Sequence, residues 1–309
     1  MLHVVMYHYV RDLPDPRYPG LKGISTERFK SQLDLLAQKY EMATLESALA
    51  HVQGDYHPKR DLCLLTFDDG LKEHRTIAAP MLATRGLQGV FFISTGAYEQ
   101  KTVFPVHENQ LLLATLEFEE YRSHLLRLIH QQYPELDSKN VDEQKACKAH
   151  RWDQPEIACF KYFLNACLPA EVRDSLISQI FNQNFGPEGE IAKELYLSRK
   201  DAVEMQEMGM ALGGHSHTHV RLSNLEPAAQ KKELQTCYDL LTQDAKPQAL
   251  WPFCYPWGKR DTFDRITIET IVQLGFHCAF TSEPGSNPVG QPVYEHLRTD
   301  AAAVEGTLV

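Results

Sequence analysis

Apolar and polar positions along the chain predict strands and helices taking turns. Val4-Val5-Met6-Tyr7 reads as a short buried first strand ending at His8, and a Pro- and Gly-rich loop follows from Arg11 to Gly23. Ser25 or Thr26 can cap a helix whose apolar positions Phe29, Leu33, Leu36 and Ala37 share one face. A second strand is expected within Tyr40 to Leu45, with a short helix after it. Leu62 to Phe67 opens with a continuous apolar run, the pattern of a strand buried on both faces. A helix from Leu71 to Arg85 would stop at Gly86, and Gln88 to Thr95, rich in aromatic and β-branched residues, predicts another buried strand.

From about Lys101 to Tyr196 the alternation breaks down. Two helical patterns, Glu108 to Tyr133 and Pro155 to Phe185, flank a polar stretch holding Asp137, Lys139, Asp142, Glu143 and Lys145. This reads as a helical insertion, at about 101–197, in a single domain spanning 1–309. It is either a cover over a substrate groove or an excursion with only a packing role, and the sequence does not decide between them. The alternation resumes with a helix from Ser198 to Met208, a strand at Met210 to Gly213 and a helix from Pro227 to Gln243. A strand from Ala249 to Tyr255, a helix from Thr262 to Leu274 and strands at Phe276 to Thr281 and Val293 to Leu297 complete the pattern. About seven or eight strands alternating with helices imply an α/β fold with a parallel sheet covered on both faces, and closure into a barrel is favoured over an open sheet.

Composition narrows the class. A net charge of −10 with no basic stripe argues against broad binding of nucleic acid or anionic membrane, yet would not repel a neutral sugar. The seven cysteines, an odd number without a CxxC pair, read as reduced, several of them packing residues, and not as a zinc-cysteine site. No stretch reaches the roughly 18 apolar residues of a membrane span. The start, Met1-Leu2-His3-Val4-Val5, lacks a basic n-region, a long apolar run and a cleavage site, so a cytoplasmic protein is expected. Nothing in the sequence indicates an oligomeric state.

The candidate chemistry lies at two predicted strand ends. Asp68 and Asp69 directly follow the Leu62–Phe67 strand and precede Gly70, which permits a sharp turn. Two adjacent buried carboxylates need a cation or a proton to offset their repulsion. Far along the chain, after Gly213 and Gly214, His215 and His219 stand four apart, a spacing that brings both imidazoles to one side of a helical turn. Two neutral imidazoles and one carboxylate form a three-ligand set that leaves coordination positions open, and Ser216 would orient a ligand from behind.

Thr66-Phe67-Asp68-Asp69-Gly70 followed by His215-Ser216-His217-Thr218-His219 resembles the polysaccharide deacetylase (NodB homology) family, carbohydrate esterase family 4, whose first two motifs read TFDDG and H-S/T-x-x-H. Phe253-Cys254-Tyr255-Pro256-Trp257-Gly258 is similar, more weakly, to its third, R-x-P-x-G. The resemblance covers about residues 1–98 and 197–300 and implies a distorted (β/α)7, TIM-like barrel. It implies that Asp69, His215 and His219 hold a divalent metal, zinc foremost, with cobalt, nickel and manganese also compatible. It further implies that Asp68 is the general base and that the backbone N–H of Trp257 stabilises the oxyanion. Such an ion both polarises an amide carbonyl and lowers the pKa of a water to about 7, and an oxyanion donor is typically worth about 3 kcal/mol.

Two departures limit the transfer. Cys254 stands where the third motif has arginine, so the usual partner of the base is missing. The family's last motif supplies the general acid as a histidine, but Glu295-His296-Leu297-Arg298 is out of register with it. His8 is an equally good candidate for the acid, so the choice stays open between His8 and His296. Tyr255, Pro256 and Trp257 are candidates for substrate contact, the aromatic rings for stacking on a sugar. The expected activity is metal-dependent removal of N-acetyl groups from an amino sugar, in a polysaccharide or its lipid-linked or oligosaccharide precursor. The alternatives are hydrolysis of another non-peptide C–N bond on the same fold and a catalytically silent glycan-binding domain.

Overall fold

A computed structural model describes residues 1–136, 141–243 and 245–308. The chain forms two compact units, one from residues 1–13, 23–102 and 189–309, the other from 14–22 and 103–188.

The first unit is built on a parallel sheet. Its strands are β1 (Leu2–Tyr7), β2 (Glu41–Met42), β3 (Leu62–Phe67), β4 (Gly89–Ile93), β5 (Ala211–Gly214), β6 (Pro252–Cys254), β7 (Cys278–Phe280) and β8 (Thr299–Asp300). They run in the order β7-β6-β5-β4-β3-β1-β8, with β2 paired to the beginning of β3. β3 is buried along its whole length and pairs with β1 from Leu2↔Leu62 to Tyr7↔Phe67. Its apolar run therefore serves both faces, the expected state of an interior parallel strand. Alternate residues part as the pleat requires. Val5, Tyr7, Leu65, Phe67 and Phe91 pack with Phe29 and Leu33 of helix 26–39, whereas Val4, Leu62, Leu64 and Phe92 join Phe280 on the other face. Tyr7, Phe67 and Phe91 stack in sequence across three strands, with centroids 5.1 and 4.4 Å apart. The result is the distorted, incompletely paired α/β barrel that the alternation implied, and its strands deliver their carboxyl ends to one side.

Three expected elements come out differently. Ser25, not Thr26, caps helix 26–39, and Gln32 takes the buried place on its apolar face while Ala37 is exposed. Gln32 is held there by the Tyr7 hydroxyl, which donates to its Oε1 at 2.9 Å, and by its own amide donating to the Ala301 carbonyl at 2.8 Å. The helix expected from Leu71 to Arg85 is a π-turn at His74–Ala78 running into a short α-helix at Ala79–Ala83. Pro80, without an N–H and with a ring that crowds the preceding turn, accounts for the widened ladder. The last strand is Thr299–Asp300 rather than Val293–Leu297. The latter stretch meets β7 at an isolated bridge, Phe280↔His296, with the His296 N–H donating to the Ala279 carbonyl at 3.0 Å. At Leu297 the side chain of Asn287 takes over, accepting from the Leu297 N–H at 2.8 Å and donating to its carbonyl at 3.0 Å.

The second unit is helical. Helices at Pro105–Thr115, Phe118–Gln132, Glu143–Ala149, Pro155–Tyr162 and Ala170–Phe185 lie within it, and no strand occurs among its described residues. The two long helical patterns are thus each interrupted, at Leu116–Glu117 and, through a π-turn at Phe163–Cys167, before Pro169. The Pro14–Lys22 loop belongs to this unit too, with the Gly20 N–H donating to the Ala114 carbonyl at 2.8 Å. Asp137 and Lys139 of the polar stretch lie outside the described residues. Leu111, Leu125, Leu176, Ile180 and Phe181 form part of a buried interior that also encloses Glu108. Glu108 Oε2 accepts from the Ser178 hydroxyl at 2.7 Å, while its Oε1 has no hydrogen-bond partner among the described residues. Burial, with Glu188 and Asp174 nearby, pushes this carboxyl up to about 8.

Candidate active site

The carboxyl ends of β3 and β5 bring the expected metal ligands together. β3 hands over directly to Asp68 and Asp69, and the Asp68 N–H continues the ladder by donating to the Tyr7 carbonyl at 2.9 Å. After β5, the His215 N–H donates to the Ile93 carbonyl at 3.0 Å. Gly213 is required here, because a Cβ would lie 2.6 Å from the Phe92 ring and 2.7 Å from the Pro252 carbonyl. Asp69 Oδ1 lies 3.3 Å from His215 Nε2 and 3.1 Å from His219 Nε2. Ligands about 2.0–2.2 Å from a tetrahedral ion are separated by about 3.4 Å, so these two separations match edges of a zinc-type coordination shell, and all three atoms lie within 4.8 Å of one another. His215 is further prepared for this. Its Nδ1–H donates to the Cys254 carbonyl at 2.8 Å, which leaves the Nε2 lone pair facing Asp69.

The two histidines do not meet on a helix. Residues 215–219 form a loop in which Ser216 and His219 have positive φ, 59° and 57°. The Ser216 hydroxyl accepts from the His219 N–H at 3.0 Å, and the Glu233 carboxylate accepts from the His217 N–H at 2.9 Å and the Thr218 hydroxyl at 2.9 Å. The four-residue spacing works through this strapped loop, not through helical periodicity. Positive φ in residues other than glycine costs energy and persists where the surroundings enforce it. Among the described residues it occurs at Asp69, Gln100, Ser216, His219 and Trp257, so four of the five such residues lie in the candidate site.

Beside the ligands, Asp68 does have a guanidinium partner. Arg298, fully buried, donates from Nη1 to Asp68 Oδ1 at 2.8 Å and from Nη2 to Oδ2 at 2.7 Å. It also donates from Nε to the Thr281 carbonyl at 2.6 Å and from Nη1 to the Thr66 hydroxyl at 3.2 Å, and its Nη2 lies 3.0 Å from Cys254 Sγ. The arginine missing at position 254 is therefore supplied just before β8, and the small Cys254 side chain lies against it. Burial alone would raise the Asp68 carboxyl, but the charge and hydrogen bonds of Arg298 hold it below the usual carboxylate range. Asp68, His215 and Cys254 also approach one another closely enough to form a second ligand triad. The guanidinium in contact with two of its members opposes a cation there, which favours the Asp69–His215–His219 set.

The two acid candidates part company. His8, with a side chain 41% exposed, places Nε2 3.8 Å from Asp68 Oδ2. His296 is buried against Phe280, ring centroids 5.0 Å apart, and desolvation lowers its pKa to about 4. It is a packing residue. Tyr255 also turns inward, correcting its expected place in the groove. Its ring stacks on Phe263 at 3.8 Å and its hydroxyl donates to the Tyr294 carbonyl at 3.0 Å. Pro256 is buried beside it. Trp257, half-buried with φ 65°, keeps its ring 6.2 Å from that of His219, and the Arg221 guanidinium lies 4.7 Å over it. One face of the indole is thus occupied by this chain's own arginine. The turn is fastened by the Ser282 hydroxyl, which donates to the Trp257 carbonyl at 2.7 Å.

A parallel α/β barrel with two imidazoles and a carboxylate clustered at the strands' carboxyl ends, and a second buried carboxylate alongside, defines a class: a scaffold whose donor set can hold a divalent cation beside a buried carboxylate. Residues 177–279 match the family model described as polysaccharide deacetylase, a span that includes His215, His219 and the Phe253–Gly258 motif. The fold is similar to that of the Streptococcus pyogenes deacetylase PplD in complex with acetate (TM-score 0.62, 14% identity, 100% of this chain and 98% of that one). It is also similar to IcaB from Ammonifex degensii (TM-score 0.55, 18% identity, 96% and 90%) and to a de-N-acetylase from Aggregatibacter actinomycetemcomitans (0.54, 14%, 99% and 99%). No curated protein matches the sequence. The chain is thus similar to polysaccharide deacetylases in sequence over residues 177–279 and in fold over nearly its whole length. No helix among the described residues is long and apolar enough to cross a membrane.

Proposed function

We propose that the protein is a metal-dependent hydrolase that removes N-acetyl groups from an amino sugar, in a polysaccharide or in its lipid-linked or oligosaccharide precursor. The observation that carries this reading is the cluster of Asp69, His215 and His219, with ligand atoms 3.1 and 3.3 Å apart, next to the buried Asp68. Zinc, or cobalt, nickel or manganese, held by these three residues would polarise the acetamide carbonyl and acidify the attacking water. Asp68 accepts that water's proton. Arg298 binds both its oxygens on one side and so keeps it ionised and fixed in direction. The Trp257 N–H, on a turn held in place by Ser282, serves the developing oxyanion. His8 gives a proton to the sugar nitrogen as the C–N bond breaks, so that a free amine and acetate leave.

A silent glycan binder drew its appeal from the missing arginine and the displaced acid. Arg298 and His8 remove that motive. Purified protein reconstituted with zinc should release acetate from N-acetylated oligosaccharides, and Asp68→Asn should abolish release while retaining metal. Absence of release across a panel of N-acetylated saccharides, with metal bound, would overturn the proposal. Preferential hydrolysis of formamides or cyclic amides would redirect it to another C–N bond.

A further inference from the structure

Two side chains that follow the Asp68-Asp69-Gly70 turn take no part in the chemistry above, yet both reach back to the segment that leaves β1. Glu73 is buried and binds Arg11 in two places, with Nε donating to Oε1 at 2.8 Å and Nη2 to Oε2 at 2.8 Å. His74 has no exposed surface and lies against Phe67 and Phe91, with centroids 5.6 and 5.5 Å away. Its Nε2 is 2.9 Å from the carbonyl oxygen of His8, which can only accept, so the ring proton is on Nε2 and donates. His8 stands one residue beyond the last β1–β3 pair, Tyr7↔Phe67. The Tyr7 carbonyl before it is bonded to the Asp68 N–H and the Tyr9 carbonyl after it accepts from the Ile24 N–H at 2.9 Å, while its own carbonyl accepts from His74. A buried imidazole thus fixes the peptide at His8 itself, between these backbone bonds, and a bidentate ion pair three residues further on secures the same segment from the same side.

We infer that Glu73 and His74 are positioning residues for His8, which hold the segment after β1 so that its imidazole faces the reacting nitrogen. The inference rests on the proposed role of His8 as general acid. Proton transfer needs the donor within about 3 Å of the nitrogen, and a misplacement of about 1 Å can cost on the order of 100-fold. The demand differs between substrates. An amine cannot leave an amide intermediate without a proton, whereas 4-nitrophenolate leaves an acetate ester unprotonated.

The test compares acetate release from an N-acetylated chito-oligosaccharide with hydrolysis of 4-nitrophenyl acetate, using the zinc-reconstituted full-length protein. His74→Leu should lower kcat for the amide about 10- to 100-fold with little change in KM, and should lower ester hydrolysis far less. His74→Gln, which can present an N–H near the same point, should recover most of the loss. Glu73→Gln supplies the same ratio if the leucine variant does not fold, and zinc content and melting temperature are measured for each. An equal loss on both substrates, or wild-type behaviour of both His74→Leu and Glu73→Gln, would overturn the inference. His8→Ala separates the two levels. If it leaves the amide-to-ester ratio unchanged, the acid assignment fails and the inference with it. If it lowers the ratio while His74→Leu and Glu73→Gln do not, only the positioning role fails.

Discussion

Replacing Arg298 by methionine removes a guanidinium that makes four hydrogen bonds to oxygen in a space closed to water, two of them to Asp68 at 2.7 and 2.8 Å. Asp68, only 2% exposed, would be left as a buried carboxylate whose oxygens had lost both charged donors. Breaking such a pair from one side costs about 3–5 kcal/mol, because the remaining charge is neither solvated nor compensated. Asp68→Asn strands the guanidinium in the same way. The double variant removes both charges, so its cost should fall short of the sum of the two by about 2–3 kcal/mol. Urea unfolding followed by tryptophan fluorescence measures this. Trp251 and Trp257 belong to the barrel unit and Trp152 to the helical one, so a Trp152→Phe background isolates the relevant transition. A coupling below about 0.5 kcal/mol, within the error of additivity, would show that the pair is not the buried clamp described. Activity gives a second reading. Cys254 Sγ lies 3.0 Å from Arg298 Nη2, so Cys254→Arg in the Arg298→Met background returns a guanidinium to the same space and should restore part of the acetate release.

Zinc should raise the melting temperature of the metal-free protein, since a ligand at 100 times its dissociation constant adds about 2.7 kcal/mol. Asp69→Asn and His219→Ala should weaken binding by at least about 100-fold and abolish that rise, and an undiminished rise would exclude these ligands. In the helical unit, the Glu108 carboxyl stands at about 8 when folded, above its unfolded value near 4.5. Its contribution to stability is therefore complete below about pH 4.5 and is lost as pH climbs through 8, a change on the order of a few kcal/mol. Glu108→Gln should flatten this dependence, so that the unfolding midpoint reported by Trp152 rises relative to wild type at pH 8 and barely moves at pH 4. Parallel pH profiles for the two proteins would refute it.

Much of the barrel was legible in local pattern. The apolar runs at Leu62–Phe67 and Gly89–Ile93 can only be strands with both faces covered, because exposing either face would leave large side chains in water. Asp68-Asp69-Gly70 and His215-x-x-x-His219 pointed to a cation, since adjacent buried carboxylates and paired imidazoles need a common charge to offset them. The tertiary structure alone decided the rest. It set the His8 imidazole 3.8 Å from Asp68 and buried His296 beside Phe280. It turned Tyr255 into the core and bent residues 215–219 into a strapped loop. It also supplied Asp68 with Arg298, 230 residues away, when the local motif offered a cysteine. Local sequence records which side chains must leave water and which charges need partners. Which partner arrives is set by strand register and loop path, and these are properties of the whole folded chain.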